Sequence, residues 1–248
     1  MIIPCGHSAR NSYHNLKRES YIFHKVGNRY MGRGDKMQGA DVNPLSIGYK
    51  IQQEEGKMRL QRDQGKFIFY GYNISKAVEY ALAYALEMNP KFGNYEKWGG
   101  DCTNYVSQCL YAGGIPFDEE GMDVRYKWYW YSEAMRAPSW TAADSLRFYM
   151  ENNNNQNQPS FGLRAEPTTI YNLLRGDVIQ FVEPDNQAYH SIICTGYIVR
   201  NGQVVDYLIS QHSGYREDNS VRLKNYPLSK KKGNKIFWSI EGYNKRNI

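Results

Sequence analysis

The chain has 248 residues, 41% of them apolar and 15% aromatic, with 22 tyrosines; that is enough to bury a sizeable core in one large domain, or in one domain and an appendage. It has no run of 18 apolar residues, so no membrane-spanning helix is expected, and its four cysteines (Cys5, Cys102, Cys109, Cys194) form no CxxC pair or Cys/His cluster with zinc spacing, against a disulfide framework or a structural zinc. The net charge of +6 is confined to one end, since residues 1–71 carry 12 Lys/Arg against 6 Asp/Glu while residues 72–248 carry 19 of each.

Residues 1–66 are polar and glycine-punctuated, and GNRYMGRGDKMQGADVNPLSIG has the composition of loop or disordered chain. They read as a basic N-terminal extension, a pro-segment or a partner-dependent arm, with an apolar cluster, SYIFHKV, suited to docking on the remainder. Such charge attracts an anionic polymer such as bacterial wall material, nucleic acid or anionic lipid, or simply solvates an arm. The start, MIIPCGH, lacks the basic and apolar regions of a standard signal peptide. The expectation is a cytoplasmic protein, or one exported by a non-standard route.

From residue 67 the pattern becomes periodic. Asn73 is placed to cap a helix in which Ala77, Tyr80, Ala81, Tyr84, Ala85 and Met88 recur at three- and four-residue steps, ended by Asn89-Pro90. A second helix starts at Asp101 or Cys102, turns Val106, Cys109 and Leu110 inward and stops at Gly113-Gly114. A third opens at Ser139 or Thr141 and buries Leu146, Tyr149 and Met150, before a low-complexity loop over 151–160. After Arg175-Gly176 the period is extended: GDVIQFV and HSIICTGYIV read as strands, Asn201-Gly202 joins the second to QVVDYLISQH in a hairpin, and KIFWSIEGY is a further strand. Helices first and an antiparallel sheet afterwards make an α+β domain.

Two residues in this pattern can carry chemistry. Cys102 follows Gly99-Gly100-Asp101 and opens a helix, where free backbone N–H groups and the positive end of the helix dipole favour a thiolate and can hold an oxyanion. His190 begins a strand from which it can reach a helix packed across the sheet. Cys109 and Cys194 fall on apolar faces and read as core.

The segments DCTNYVSQCLYAGGIPF (101–117), GDVIQF (176–181) and HSIICTGY (190–197), with AVEYALAYALEMNPKF and PSWTAADSL, resemble the Putative amidase domain family, similar to the NlpC-type and CHAP groups of papain-like hydrolases. The resemblance covers roughly 70–245. It implies a papain-like fold, helices packed on an antiparallel sheet, with Cys102 as nucleophile and His190 as general base, a third polar residue on the following strand, and no cofactor. A two-residue Asn201-Gly202 loop turns His190 toward Ser213 and diagonal to Gln211; a three-residue loop or one bulge puts His212 opposite it. NlpC-type enzymes commonly use histidine there, so His212 is the expected third residue and Gln211 the alternative. Asp101 is expected to cap the helix or hold the catalytic loop. Asn104 is a candidate to enter the cleft, and Trp128 and Trp130 in KWYWY either wall a substrate groove or are buried structure. The function implied is hydrolysis of an amide bond, in bacterial cell-wall peptidoglycan by analogy. The alternatives are an intracellular cysteine peptidase acting on a protein, a peptide or its own extension, and a non-catalytic binding module with a basic arm.

Overall fold

A computed structural model describes residues 20–21, 69–153, 162–201, 203–213, 218–230 and 234–244. The basic extension over 1–66 therefore lies outside the described residues, apart from a two-residue strand, β1 (Ser20–Tyr21), within the SYIFHKV cluster. The helices are α1 (Ile74–Tyr84), α2 (Cys102–Ala112), α3 (Pro138–Thr141) and α4 (Ala143–Asn153). The strands are β2 (Phe69–Tyr70), β3 (Gly162–Thr168), β4 (Val178–Val182), β5 (Ala188–Arg200), β6 (Gln203–Ser210), β7 (Val221–Arg222) and β8 (Asn234–Asn244). The fold is α+β.

Asn73 caps α1 as its side chain accepts from the Lys76 N–H, and Ala77, Val78, Ala81 and Leu82 form the buried stripe. The helix stops at Tyr84, short of the periodic Met88, and the Tyr84 carbonyl there bonds to a side chain from beyond β6. The single helix expected from Ser139 or Thr141 is two, because Ala142 is extended and separates α3 from α4. Glu151–Asn153, read as the start of a loop, complete the last turn of α4.

The strands form one antiparallel sheet with a six-strand path, β2-β8-β4-β5-β6-β7; β3 also pairs with β8, and β1 with the outer half of β5. Strand β3 is the element the sequence concealed: in GLRAEPT the alternation is confined to Leu163-Arg164-Ala165-Glu166, with weakly strand-forming Gly, Ala and Pro around it. Both faces of the sheet are covered. One, with Val178, Ile193, Trp238 and Ile240, meets α2, α4 and the indoles of Trp128 and Trp140. The other, with Ile179, Ile192, Cys194 and Ile209, is closed by the segment around Leu223 and Tyr226. Coverage on both sides explains why β4 and most of β5 are buried at successive residues rather than alternately.

Helix α2 lies at the centre, against α1 on one side and β5 on the other, and every residue from Cys102 to Leu110 is buried. Its polar residues must then be partnered, because an unpaired buried polar group costs about 1–3 kcal/mol. Ser107 receives the Trp128 indole N–H, Gln108 receives the Tyr80 hydroxyl, and the Thr103 and Ser191 hydroxyls lie 3.0 Å apart. The inner face is the whole circumference, wider than the Val106, Cys109 and Leu110 stripe expected from periodicity. Among the described residues no helix is long and apolar enough to cross a membrane, and no group of three or more His, Cys, Asp or Glu could hold a metal.

Candidate active site

Cys102 is the first residue of α2 and is reached through Gly99 and Gly100, whose φ values of 109° and 122° belong to the left-handed region that glycine adopts without strain. This sharp entry turns the thiol inward onto β5. There the sulfur lies 3.8 Å from Thr103 Oγ1. Burial pushes the Cys102 thiol up, and the polar groups of Thr103 and the backbone of Ser191, the residue after His190, offset only part of that rise.

The contact between helix and strand is pinned by a buried polar chain. Thr103 meets Ser191, Gln180 donates to Ser191 Oγ (3.1 Å) and to the Ala143 carbonyl (2.8 Å), and the Trp238 indole donates to Gln180 Oε1 (2.9 Å). It ties α2, β5, β4, β8 and the start of α4 into one register beneath the thiol.

His190 sits on β5 opposite Phe181 and is buried. Its Nε2 is 2.8 Å from the Tyr226 hydroxyl, and the two rings stack at 6.0 Å and 20°. Burial lowers His190 to about 4, so its imidazole is neutral at pH 7. Burial and the nearby Cys102 sulfur together hold the Tyr226 phenol protonated, well above its usual range. The structure thus gathers Cys102, the Ser191 backbone, His190 and Tyr226.

A family model for the Putative amidase domain matches residues 71–238, the segment that holds all of these groups. The chain belongs to that family. It is 33% identical over 126 residues to the uncharacterized protein YhbB of Bacillus subtilis (strain 168), covering 50% of this chain and 37% of that one. With the uncharacterized protein YjcM of the same organism it shares 36% identity over 80 residues, 32% of this chain and 16% of the relative. The chain thus spans well under half the length of each of these relatives. No solved structure matches it significantly.

Within the amidase domain the other expected site residues are placed differently. His212 is not turned toward His190: its Nδ1 is 2.6 Å from Asp101 Oδ2, its Nε2 is 2.5 Å from the Tyr84 carbonyl, and its ring stacks on Tyr105 at 4.1 Å. The reason lies in the β5–β6 ladder. Arg200 pairs with Gln203, as a two-residue loop requires, and two irregularities follow, at Ile198/Val199 and at Cys194/Gly196. They cancel, so Ile193↔Ser210 returns to the starting register and His212 never comes opposite His190. Gln211, the alternative, is buried just past the end of β6, whereas the side chain on His190 Nε2 comes from Tyr226.

Asp101 stands at the N-cap position of α2 but does not cap through its side chain. Oδ1 instead accepts from the Tyr95 N–H (3.0 Å) and from Asn104 Nδ2 (2.9 Å), and Oδ2 faces His212. It ties the loop before Cys102 through Tyr95 and is fully buried. Asn104 is buried too, donating to the Gly93 carbonyl and Asp101 while its Oδ1 accepts from the Trp140 indole, so its groups face inward. Trp128 is a fully buried core residue packed 4.6 Å from Trp140, which excludes it as a groove wall. Trp130 is half-buried, its indole N–H on the Tyr95 hydroxyl and its ring on Phe92. Tyr226 was missed altogether: as one of 22 tyrosines in an irregular stretch, 36 residues from His190, it carries no local signal.

Proposed function

We propose that this domain is a cysteine amidase in which Cys102 is the nucleophile and His190 the base, acting on a peptide amide of bacterial cell-wall peptidoglycan. The observation that carries the reading is the buried thiol at the first turn of α2, whose neighbour Thr103 meets Ser191, the residue after His190, at 3.0 Å. With Nε2 taken by Tyr226, the nitrogen left for the thiol is Nδ1. The raised thiol and the lowered imidazole make the resting pair uncharged, so proton transfer accompanies attack.

Cys102 Sγ adds to the amide carbonyl carbon as its proton passes to His190 Nδ1. The oxyanion is held by backbone N–H groups at the start of α2, that of Cys102 among them. Collapse breaks the C–N bond, and the imidazolium proton goes to the departing amine. Water, deprotonated by the same nitrogen, then adds to the thioester, releases the acid and restores the thiol. The basic segment over 1–66 would draw the domain to an anionic wall polymer, and the domain boundary falls near 67.

The test is release of free amino groups from purified peptidoglycan by the full chain. Wild type is expected to release them and Cys102→Ala to release none. Equal release by both proteins would end the reading.

A further inference from the structure

We propose that Tyr226 is the positioning residue of the catalytic pair, holding the His190 imidazole in the one tautomer that can serve as base; this rests on the Cys102–His190 reading. A neutral imidazole has one N–H and one lone pair. If the Tyr226 hydroxyl donated to Nε2, the ring proton would sit on Nδ1, the nitrogen left for Cys102, and the base would be blocked. The productive arrangement has Nε2–H donating to the hydroxyl oxygen across the 2.8 Å contact, with the Nδ1 lone pair free. A hydroxyl oxygen can accept that bond both before and after His190 is protonated, and it carries no charge that would hold the ring as imidazolium at rest.

The hydroxyl is held where this requires it. Tyr226 closes a 3-10 turn (Leu223–Asn225), its N–H donating to the Arg222 and Leu223 carbonyls at 3.1 and 3.2 Å. That turn is clamped to β6 through Asp206, whose carboxylate takes Arg222 Nε (2.9 Å) and the Lys224 N–H (3.3 Å). The Tyr226 ring is buried, 5.8 Å from Phe181 and stacked on His190. Among the described residues two histidines have a buried partner near α2, and the carboxylate, Asp101, serves the other one.

The experiment uses the full chain and iodoacetamide, with alkylation of Cys102 followed by mass of its peptide. This measures thiol activation without knowing the substrate. At pH 7.5, Tyr226→Phe, which keeps the stacked ring, is expected to alkylate at least about tenfold more slowly than wild type with little change in melting temperature. The gap should narrow toward alkaline pH, where the thiol ionises unaided; a purely structural role would not move with pH in this way. In wild type, nitrogen-15 spectra of His190 should show the proton on Nε2. A wild-type rate in Tyr226→Phe beside a slow His190→Ala would overturn the role of Tyr226 and leave the catalytic pair standing. A wild-type rate in His190→Ala would remove the pair and this inference together. Should Tyr226→Phe fail to fold, the wild-type spectrum decides, and a proton on Nδ1 overturns the proposal.

Discussion

Two buried imidazoles flank the start of α2, and they live in opposite chemical settings. His212 is engaged at both ring nitrogens, by the Asp101 carboxylate and by the Tyr84 carbonyl, and it joins the end of α1 to the loop before Cys102. Because a carbonyl can only accept, its Nε2 must carry hydrogen, so the ring is a bridge and has no nitrogen left over. His190 has one nitrogen on a neutral hydroxyl and, among the described residues, no hydrogen-bond partner on the other. Burial alone therefore does not separate a structural histidine from one suited to proton transfer; the number and charge of its partners does.

The sharpest break of this comparison is on activity. Cys102→Ala is expected to abolish peptidoglycan hydrolysis, and His190→Ala to lower turnover by about 10²–10⁴-fold, each measured as amine release by protein whose melting confirms folding. If His212→Ala were to lower turnover as much as His190→Ala while melting like wild type, the two roles would have to be exchanged.

Stability should rank the two histidines the other way. His212→Ala leaves the buried Asp101 carboxylate facing a void and the Tyr84 carbonyl without its side-chain donor, and each loss at a buried polar group costs about 1–3 kcal/mol. At roughly 2–4 °C per kcal/mol for a chain of this size, its melting temperature should fall by ten degrees or so. His190→Ala removes one hydrogen bond to a neutral group, worth about 1 kcal/mol, plus some packing, and should melt closer to wild type. Differential scanning calorimetry of both variants checks the order.

The smallest effect is in the pH dependence. His190 has a folded value of about 4 against the usual 6.5, so between these pH values the unfolded chain binds the proton that the folded chain refuses. Its contribution is fully present above pH 6.5 and is lost as pH falls toward 4, up to about 3 kcal/mol. Urea denaturation at pH 7 and pH 4.5 should reveal the slope in wild type, and His190→Gln should flatten that part of it. An unchanged slope would mean that His190 is hydrated and not in the dry setting described.

Much of this organisation was legible in the chain. The three- and four-residue apolar steps after Asn73, the Gly99-Gly100 entry to Cys102, the Gly113-Gly114 exit and the hairpin turn at Asn201 are local features, and each stands in the fold where its backbone preference directs. Local reading failed where burial reversed the meaning of polarity. On α2, Thr103, Asn104 and Ser107 look like a solvent face, yet are core residues made tolerable by Ser191, Trp140 and Trp128. Strand β3, whose own alternation is only four residues long, pairs with β8 along its whole length.

The sequence by itself determined which residues could supply a nucleophile and a base, and that helices precede an antiparallel sheet, because these follow from residue chemistry and periodicity. Only the tertiary structure decided which imidazole keeps a nitrogen free. That choice turns on two irregularities in β5–β6 that cancel, on Asp101 turning to His212 instead of capping α2, and on a tyrosine brought in from an irregular segment. The two side-chain contacts join residues 111 and 36 positions apart, selected by packing and by the cost of leaving a buried polar group unpaired, and no local preference encodes them.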